Sequence, residues 1–247
     1  MKKTSFALSI ALLSVLCAAD ASANIFDDFG KRLQGEYMKP FARDIGGLMG
    51  QADFHSARPD GFPGADIGMV VSGQFKPADG DKLLKDAGVG AFALPVAQAS
   101  IGLPANLGVS VRGFSALGAT WIGGGLKYGI AKHSVVKFLP DLTAMAYYDV
   151  LSHDYLKVKH FSMSLAASFD LPVVKPYLGV GFDNTKLESK VASSAGSAVL
   201  PGDSVTVTEF RGTAGVSVTP FPFAYMFGGA SLLHGSVGFT GGLGVTF

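Results

Sequence analysis

From Ala65 to Phe247 the chain alternates large apolar residues with small or polar ones in short runs, each closed by a turn signal. This period of two is the pattern of a strand with chemically different faces, and little else satisfies it over so long a stretch. Ten runs can be marked, near 65–75, 97–103, 106–115, 118–130, 141–151, 156–169, 175–187, 204–219, 223–233 and 236–247. Most match the about 9–11 residues of a tilted strand that crosses a bilayer. Every second connection holds proline, at Pro104, Pro140, Pro172 with Pro176, and Pro220 with Pro222. Proline stops a strand and fixes a turn. The two longest connections, 76–96 and 188–203, fall on the other side.

The faces sharpen this reading. Val237, Phe239, Gly241, Leu243, Val245 and Phe247 share one side of the last run, opposite Gly238, Thr240, Gly242, Gly244 and Thr246. In 156–169, Phe161, Met163, Leu165, Ala167 and Phe169 oppose His160, Ser162, Ser164, Ala166 and Ser168. Alternation leaves open which face is inside. Gly, Ser and Ala would fill a soluble interior poorly, whereas a spanning barrel turns bulk to lipid and polar groups to its lumen. Phe75, Trp121, Tyr128, Tyr155, Tyr177, Phe223 and Tyr225 near strand ends are candidates for interfacial girdles. On this register Leu178 faces lipid and Gly179 the lumen, where a change to Ser should be mild.

The first 23 residues read as a signal peptide. Lys2 and Lys3 precede an apolar stretch from Phe6 to Ala19, and Ala21-Ser22-Ala23 is a small-residue cleavage site. The stretch is shorter than the about 20 residues a spanning helix needs. Beyond Ala23 no cysteine remains, so disulfides are excluded there. Removing Lys2, Lys3 and Asp20 leaves 18 basic and 18 acidic residues, a balance that argues against a nucleic-acid partner.

The ending Val237 to Phe247, with its terminal aromatic, resembles the C-terminal signal of Gram-negative outer-membrane β-barrel proteins. Gly124-Gly125-Leu126-Lys127-Tyr128-Gly129 and the run 176–181 are also typical of such strands. The resemblance covers about residues 65–247 and is to the class, not to one characterised family. It implies export to the outer membrane, surrounding outer-membrane lipid, and the barrel-assembly machinery as a partner that reads Phe239, Leu243, Val245 and Phe247. The expected fold is all-β: an antiparallel transmembrane β-barrel of about 10 strands, with 8–12 admissible, over 65–247.

Residues 24–64 differ. Ile25, Phe29, Leu33, Tyr37, Phe41 and Ile45 recur every fourth residue, one stripe of an amphipathic helix. Asn24 suits an N-cap, Pro40 should bend or break the helix, and Gly46-Gly47 should end it. Three placements fit this segment: a plug in the lumen, an interfacial helix on the periplasmic surface, or a docking arm.

Few residues suggest chemistry. His160-Phe161-Ser162 resembles the His-x-Ser pair of outer-membrane lipid A deacylases, but the register points both polar groups to the lumen, and no orienting carboxylate can be named. His153-Asp154 lies in a loop where omptin-like proteases place such residues, yet the rest of that pattern is missing. The histidines lack metal-ligand spacing, and Gly123-Gly124-Gly125 lacks the Lys that a phosphate loop needs, so no catalytic residue, metal or cofactor is expected. The expected lumen lining is Asp66, Gln74, Arg112, Lys127, Asp149, His160, Asp183, Glu209 and Arg211. Ten strands lie between filled eight-stranded barrels and open porins. The leading expectation is a narrow channel or transporter for small solutes, gated by 24–64. The alternatives are an adhesin-like barrel displaying 76–96 and 188–203, and an embedded lipid hydrolase.

Overall fold

The computed structural model describes residues 25–131, 140–193 and 199–247. The signal peptide expected over 1–23 and the cap at Asn24 lie outside the described residues. Two helices, α1 (Ile25–Arg32) and α2 (Gly35–Gln51), precede the first strand. The strands are β1 (Gly64–Gln74), β2 (Phe92–Gly102), β3 (Leu107–Ala116), β4 (Ala119–Ala131) and β5 (Asp141–Ser152). There follow β6 (Leu156–Ser168), β7 (Val174–Ser189), β8 (Ser204–Phe221), β9 (Ala224–Leu233) and β10 (Ser236–Thr246). A short helix, α3 (Lys82–Asp86), sits between β1 and β2.

Each strand pairs antiparallel with its neighbours in sequence, and β1 pairs with β10, so the described strands close into a ten-stranded barrel. Closure leaves no free edge, which is what allows a sheet to stand in hydrocarbon. The bulky faces point outward: Val111 is 61% exposed, Ile122 67% and Phe210 75%. The opposite faces, with Ser110, Arg112, Asp149, Ser162 and Thr213, are buried in the interior. Apolar bulk outside and polar groups inside is the inverse of a soluble barrel and defines a transmembrane one. Among the described residues no helix is long and apolar enough to cross a membrane.

Three sequence expectations need correction. Phe75, Tyr128 and Phe223 face outward as girdle residues should, but Trp121, Tyr177 and Tyr225 are buried inside. The alternation itself requires this in β4, where Trp121 shares the inward parity of Lys127 and Tyr128 does not. The second strand begins at Phe92, not near 97, so the long first connection is shorter than 76–96. The helical segment breaks at Leu33-Gln34, where Gln34 is extended, and neither Pro40 nor Gly46-Gly47 ends α2.

The reason for the surviving glycines is proximity. A Cβ on Gly46 would collide with Thr185 Oγ1 of β7, and one on Gly50 with the Asp183 carboxylate, also of β7, and with Arg211 Nε at 2.7 Å. α2 therefore lies inside the barrel with its backbone pressed on the wall. Phe41, Ile45, Leu48 and Met49 are fully buried. The chain enters the ring at the end that carries the longer connections β1–β2 and β7–β8, where α1 packs against α3. It leaves by residues 53–60 at the opposite, short-turn end, where β1 starts and β10 finishes. Short turns face the periplasm in barrels of this kind and longer connections face outward.

Candidate functional site

The centre of the lumen is a cluster of buried charges built around a residue of the plug. Asp53 follows α2 by two positions, and its carboxylate accepts from four groups of the wall. Arg112 Nη1 of β3 lies 3.0 Å from Oδ1, and Ser162 of β6 donates to the same oxygen at 3.0 Å. Ser164 Oγ donates to Oδ2 at 2.7 Å, and Arg211 Nη2 of β8 reaches that oxygen too. Asp53, Arg112 and Arg211 all have side chains with no exposure.

Each arginine is held from behind. Arg112 bonds Asp149 of β5 through Nε at 2.8 Å and Nη2 at 2.6 Å, a bidentate pair that fixes the guanidinium plane. The Trp121 indole N–H donates to Asp149 at 2.9 Å, and Arg112 stacks 4.1 Å from the Tyr147 ring centre. Arg211 Nε donates to Asp183 Oδ2 at 3.1 Å, and His234 Nε2 meets that same oxygen at 3.0 Å. The His234 Nδ1 lies 2.8 Å from the carbonyl oxygen of Arg43 on α2.

All nine residues expected to line the lumen point inward, at three levels. Arg112, Asp149, His160, Asp183 and Arg211 surround Asp53 in the middle. Gln74 and Glu209 stand at the long-loop mouth, where both grip the plug. Gln74 Nε2 donates to Asp44 at 2.8 Å, and Glu209 pairs with Arg43 at 2.7 Å. Asp66 and Lys127 lie toward the short-turn end, Asp66 accepting from Tyr225 at 2.9 Å and Lys127 lying 3.4 Å from Asp60. There the plug leaves a cavity of about 560 Å³, lined by Asp53, His55, Asp60, Asp66, Gln98 and Lys127 among others. It is the unfilled short-turn end of the same lumen, and it stops at Asp53.

At the long-loop mouth, beyond the spanning strands, Asp44 and Asp81 share a buried corner. The Ala78 N–H donates to both Asp44 oxygens, at 3.0 and 2.9 Å, and the Leu84 N–H to Asp81 at 3.0 Å. Burial pushes the Asp44 carboxyl up to about 8 and raises that of Asp81 as well. Two carboxyls so placed share a proton at neutral pH.

The hydrolase fragment does not assemble. His160 and Ser162 are fully buried and face the lumen, away from lipid. Ser162 donates to Asp53, and His160 Nδ1 pairs with Thr185 Oγ1 at 2.9 Å. His153 is stacked on Phe26 of α1 with ring centres 5.2 Å apart, so it too holds the plug. Sequence reasoning missed Asp53, Asp44 and His234. Asp53 carried one weak signal, a lone acid between the end of α2 and Asp60. Among the described residues no group of three or more His, Cys, Asp or Glu is placed to hold a metal.

Fold and site together define a plugged outer-membrane-type β-barrel. The chain belongs to the family of unknown function DUF6588, which matches residues 79–232. No curated protein matches it in sequence. Among solved structures, the translocator domain of the autotransporter NalP from Neisseria meningitidis is similar at 14% identity and TM-score 0.40, covering 86% of this chain and 98% of that one. The N-terminal β-barrel domain of Pseudomonas aeruginosa OprF is similar at 11% identity and TM-score 0.36, covering 75% of this chain and 98% of that domain. The KdgM porin is similar at 9% identity and TM-score 0.38, covering 74% and 99%. Likenesses this distant carry no argument about activity.

Proposed function

We propose that this protein is an outer-membrane channel for small solutes whose lumen is closed at rest by residues 25–58 of its own chain. The observation that supports this reading is the Asp53 cluster. The plug is tied to β3, β6 and β8 through ion pairs and hydroxyl contacts, not through strand pairing. Buried ion pairs add little net stability against a well-packed apolar alternative, yet they fix position, and their groups are readily solvated once exposed. Such a seal suits a part that must leave and return. The cavity that already reaches Asp53 from the short-turn end leaves only the helical part of the plug to move. A display role for the connections 76–96 and 188–203 has weaker support, because Leu83 and Leu84 of the first are fully buried against the plug.

The test is single-channel recording in planar bilayers on the full barrel and on a variant lacking residues 25–58. The full barrel should be closed with rare openings, and the deletion should conduct steadily. Silence from a folded deletion variant at every voltage would sink the proposal.

A further inference from the structure

We propose that Lys159 and Lys186, facing each other on the outer wall of β6 and β7, clasp a phosphate group of an anionic lipid in the outward leaflet of the membrane. The site lies outside the lumen and does not depend on whether the barrel conducts. The two strands fix its level. Outward residues run apolar from Phe161 through Met163 and Leu165 to Phe169 along β6 and its end, and from Val174 through Leu178 and Val180 to Phe182 along β7. Each run matches the about 9–11 residues of a tilted strand that crosses hydrocarbon. Lys159 stands two positions above Phe161 and Lys186 four above Phe182, both exposed and both toward the long connections. That is headgroup depth on the outward side, at the edge of the apolar band.

The register sets two like charges against each other. Lys159 and Lys186 are direct cross-strand partners, so their Cβ atoms stand about 4.5–5.5 Å apart. Like charges so placed destabilise a sheet, and next to hydrocarbon their repulsion is damped less than in bulk water. The protein itself does not offset it: among the described residues neither ammonium has an ion-pair partner. Glu188, the outward acid of β7, is the register partner of Lys157 and balances that charge instead. The position paired with Lys186 on β8 is Thr206, and the one paired with Lys159 on β5 is Val150. Lys190, past the end of β7, adds a further positive charge and is bound to Ser152 Oγ and the His153 carbonyl oxygen. The charge is local, since the outward residues at the same end of β9 and β10 are Leu232 and Val237.

An anion between the two ammonium groups turns this repulsion into attraction. Phosphate suits the place, because its oxygens can each accept from a different ammonium, and the exposed Thr206 hydroxyl beside Lys186 is a further donor. The surroundings favour a lipid as its carrier. Below the pair on the same outer face lie Phe161, Phe182 and Phe210, the last two edge to face with ring centres 5.5 Å apart. They form an aromatic shelf on which acyl chains can pack. A free anion would meet the same two charges and gain nothing from the shelf.

Native mass spectrometry of the full barrel in neutral detergent reads the binding, with diphosphoryl lipid A as the probe. One lipid should stay on each barrel, and the complex should weaken as salt rises. A lysine near an anionic lipid surface is worth about fivefold in affinity, so Lys159→Gln with Lys186→Gln should weaken binding about thirtyfold. Lys159→Arg with Lys186→Arg should keep it, and Lys157→Gln, whose charge Glu188 balances, should change it much less. Heat-modifiable migration confirms that each barrel is folded. Urea midpoints give a second reading. Without lipid either single glutamine variant should be more stable than the unchanged barrel, because the repulsion is relieved; with lipid A present the order should reverse. Equal binding by the double glutamine variant, or by lipid A stripped of its phosphates, overturns the proposal. So does an order of stability that stays the same with and without lipid. Displacement of the lipid by inorganic phosphate at equal concentration overturns it as well, by making the occupant a free anion.

Discussion

Asp53→Asn tests whether the plug is held by charge. The substitution keeps the shape of the side chain, removes the negative charge from between two buried arginines, and puts an amide N–H₂ where donors already converge. Breaking one partner of a buried ion pair costs about 3–5 kcal/mol because the other charge is left uncompensated. The lower end applies here. Arg112 keeps both bonds to Asp149, and Arg211 keeps one to Asp183, so neither is stranded. About 3 kcal/mol corresponds to about a hundredfold shift in the closed–open equilibrium of the plug. Ser162→Ala removes one of the four groups that bind Asp53 and leaves both arginines in place. A hydrogen bond to a charged group is worth about 1.5–3 kcal/mol, so about a tenfold shift is expected there. Hydrogen–deuterium exchange read by mass spectrometry separates plug from wall. Amides of 35–53 should exchange faster by these factors while those of β5 to β8 stay protected. If the plug amides of Asp53→Asn remain as slow as in the unchanged protein, the cluster does not hold the plug. If the strand amides accelerate equally, it holds the barrel instead.

Four further outcomes follow from the same geometry. Gly179→Ser, mild on the sequence alone, should loosen the plug, because a Cβ there would lie 2.5 Å from Phe54 Cζ and 2.8 Å from the Leu165 carbonyl oxygen; faster exchange at Phe54 checks it. Leu178→Arg, on the lipid face at 55% exposure, should lower barrel stability by about 2–4 kcal/mol in urea titrations in liposomes, with the plug unaffected. Raising the pH from about 4 to about 8 should weaken the mouth contact, since the buried Asp44 carboxyl holds its proton to about 8 and an exposed one releases it near 4. Asp44→Asn should flatten that dependence in protease accessibility of the 76–91 loop. Deleting Phe247, which is 76% exposed at the end of the chain, should reduce the amount of heat-modifiable barrel in outer-membrane fractions.

The wall of this barrel was legible and its contents were not. Strand faces follow from a local rule, so reading Val237 against Gly238 or Met163 against Ser162 separates the outward from the inward face of β10 and β6. The same rule corrects itself where it was overlooked, since Trp121 and Tyr128 cannot share a face. The plug obeys no such rule. Asp53 finds Arg112 and Arg211 at separations of 59 and 158 residues, and no periodicity connects them. Gly46 and Gly47 looked like a helix stop because glycine is a poor helix former. Contact with Thr185, and for Gly47 with Leu233, outweighs that preference, and such contacts exist only once the barrel is closed.

The balance of apolar and polar contacts along the plug bears on how it moves. Its upper part is held by packing: Phe26 and Phe29 of α1 are fully buried, the first on His153 and the second on Phe41. Its lower part adds charge to packing, at Asp53, with the short-turn cavity beneath it. Apolar packing weakens only as a whole face is exposed, whereas an ion pair next to water exchanges its partners one at a time. Release that starts at Asp53 therefore meets the smaller barrier, and α2 would loosen from its C-terminal end while α1 stays on the mouth. Amides of 48–53 should then exchange before those of 25–32. The opposite order would place the first opening at the long loops and would make the apolar cap, not the charge cluster, the part that governs entry.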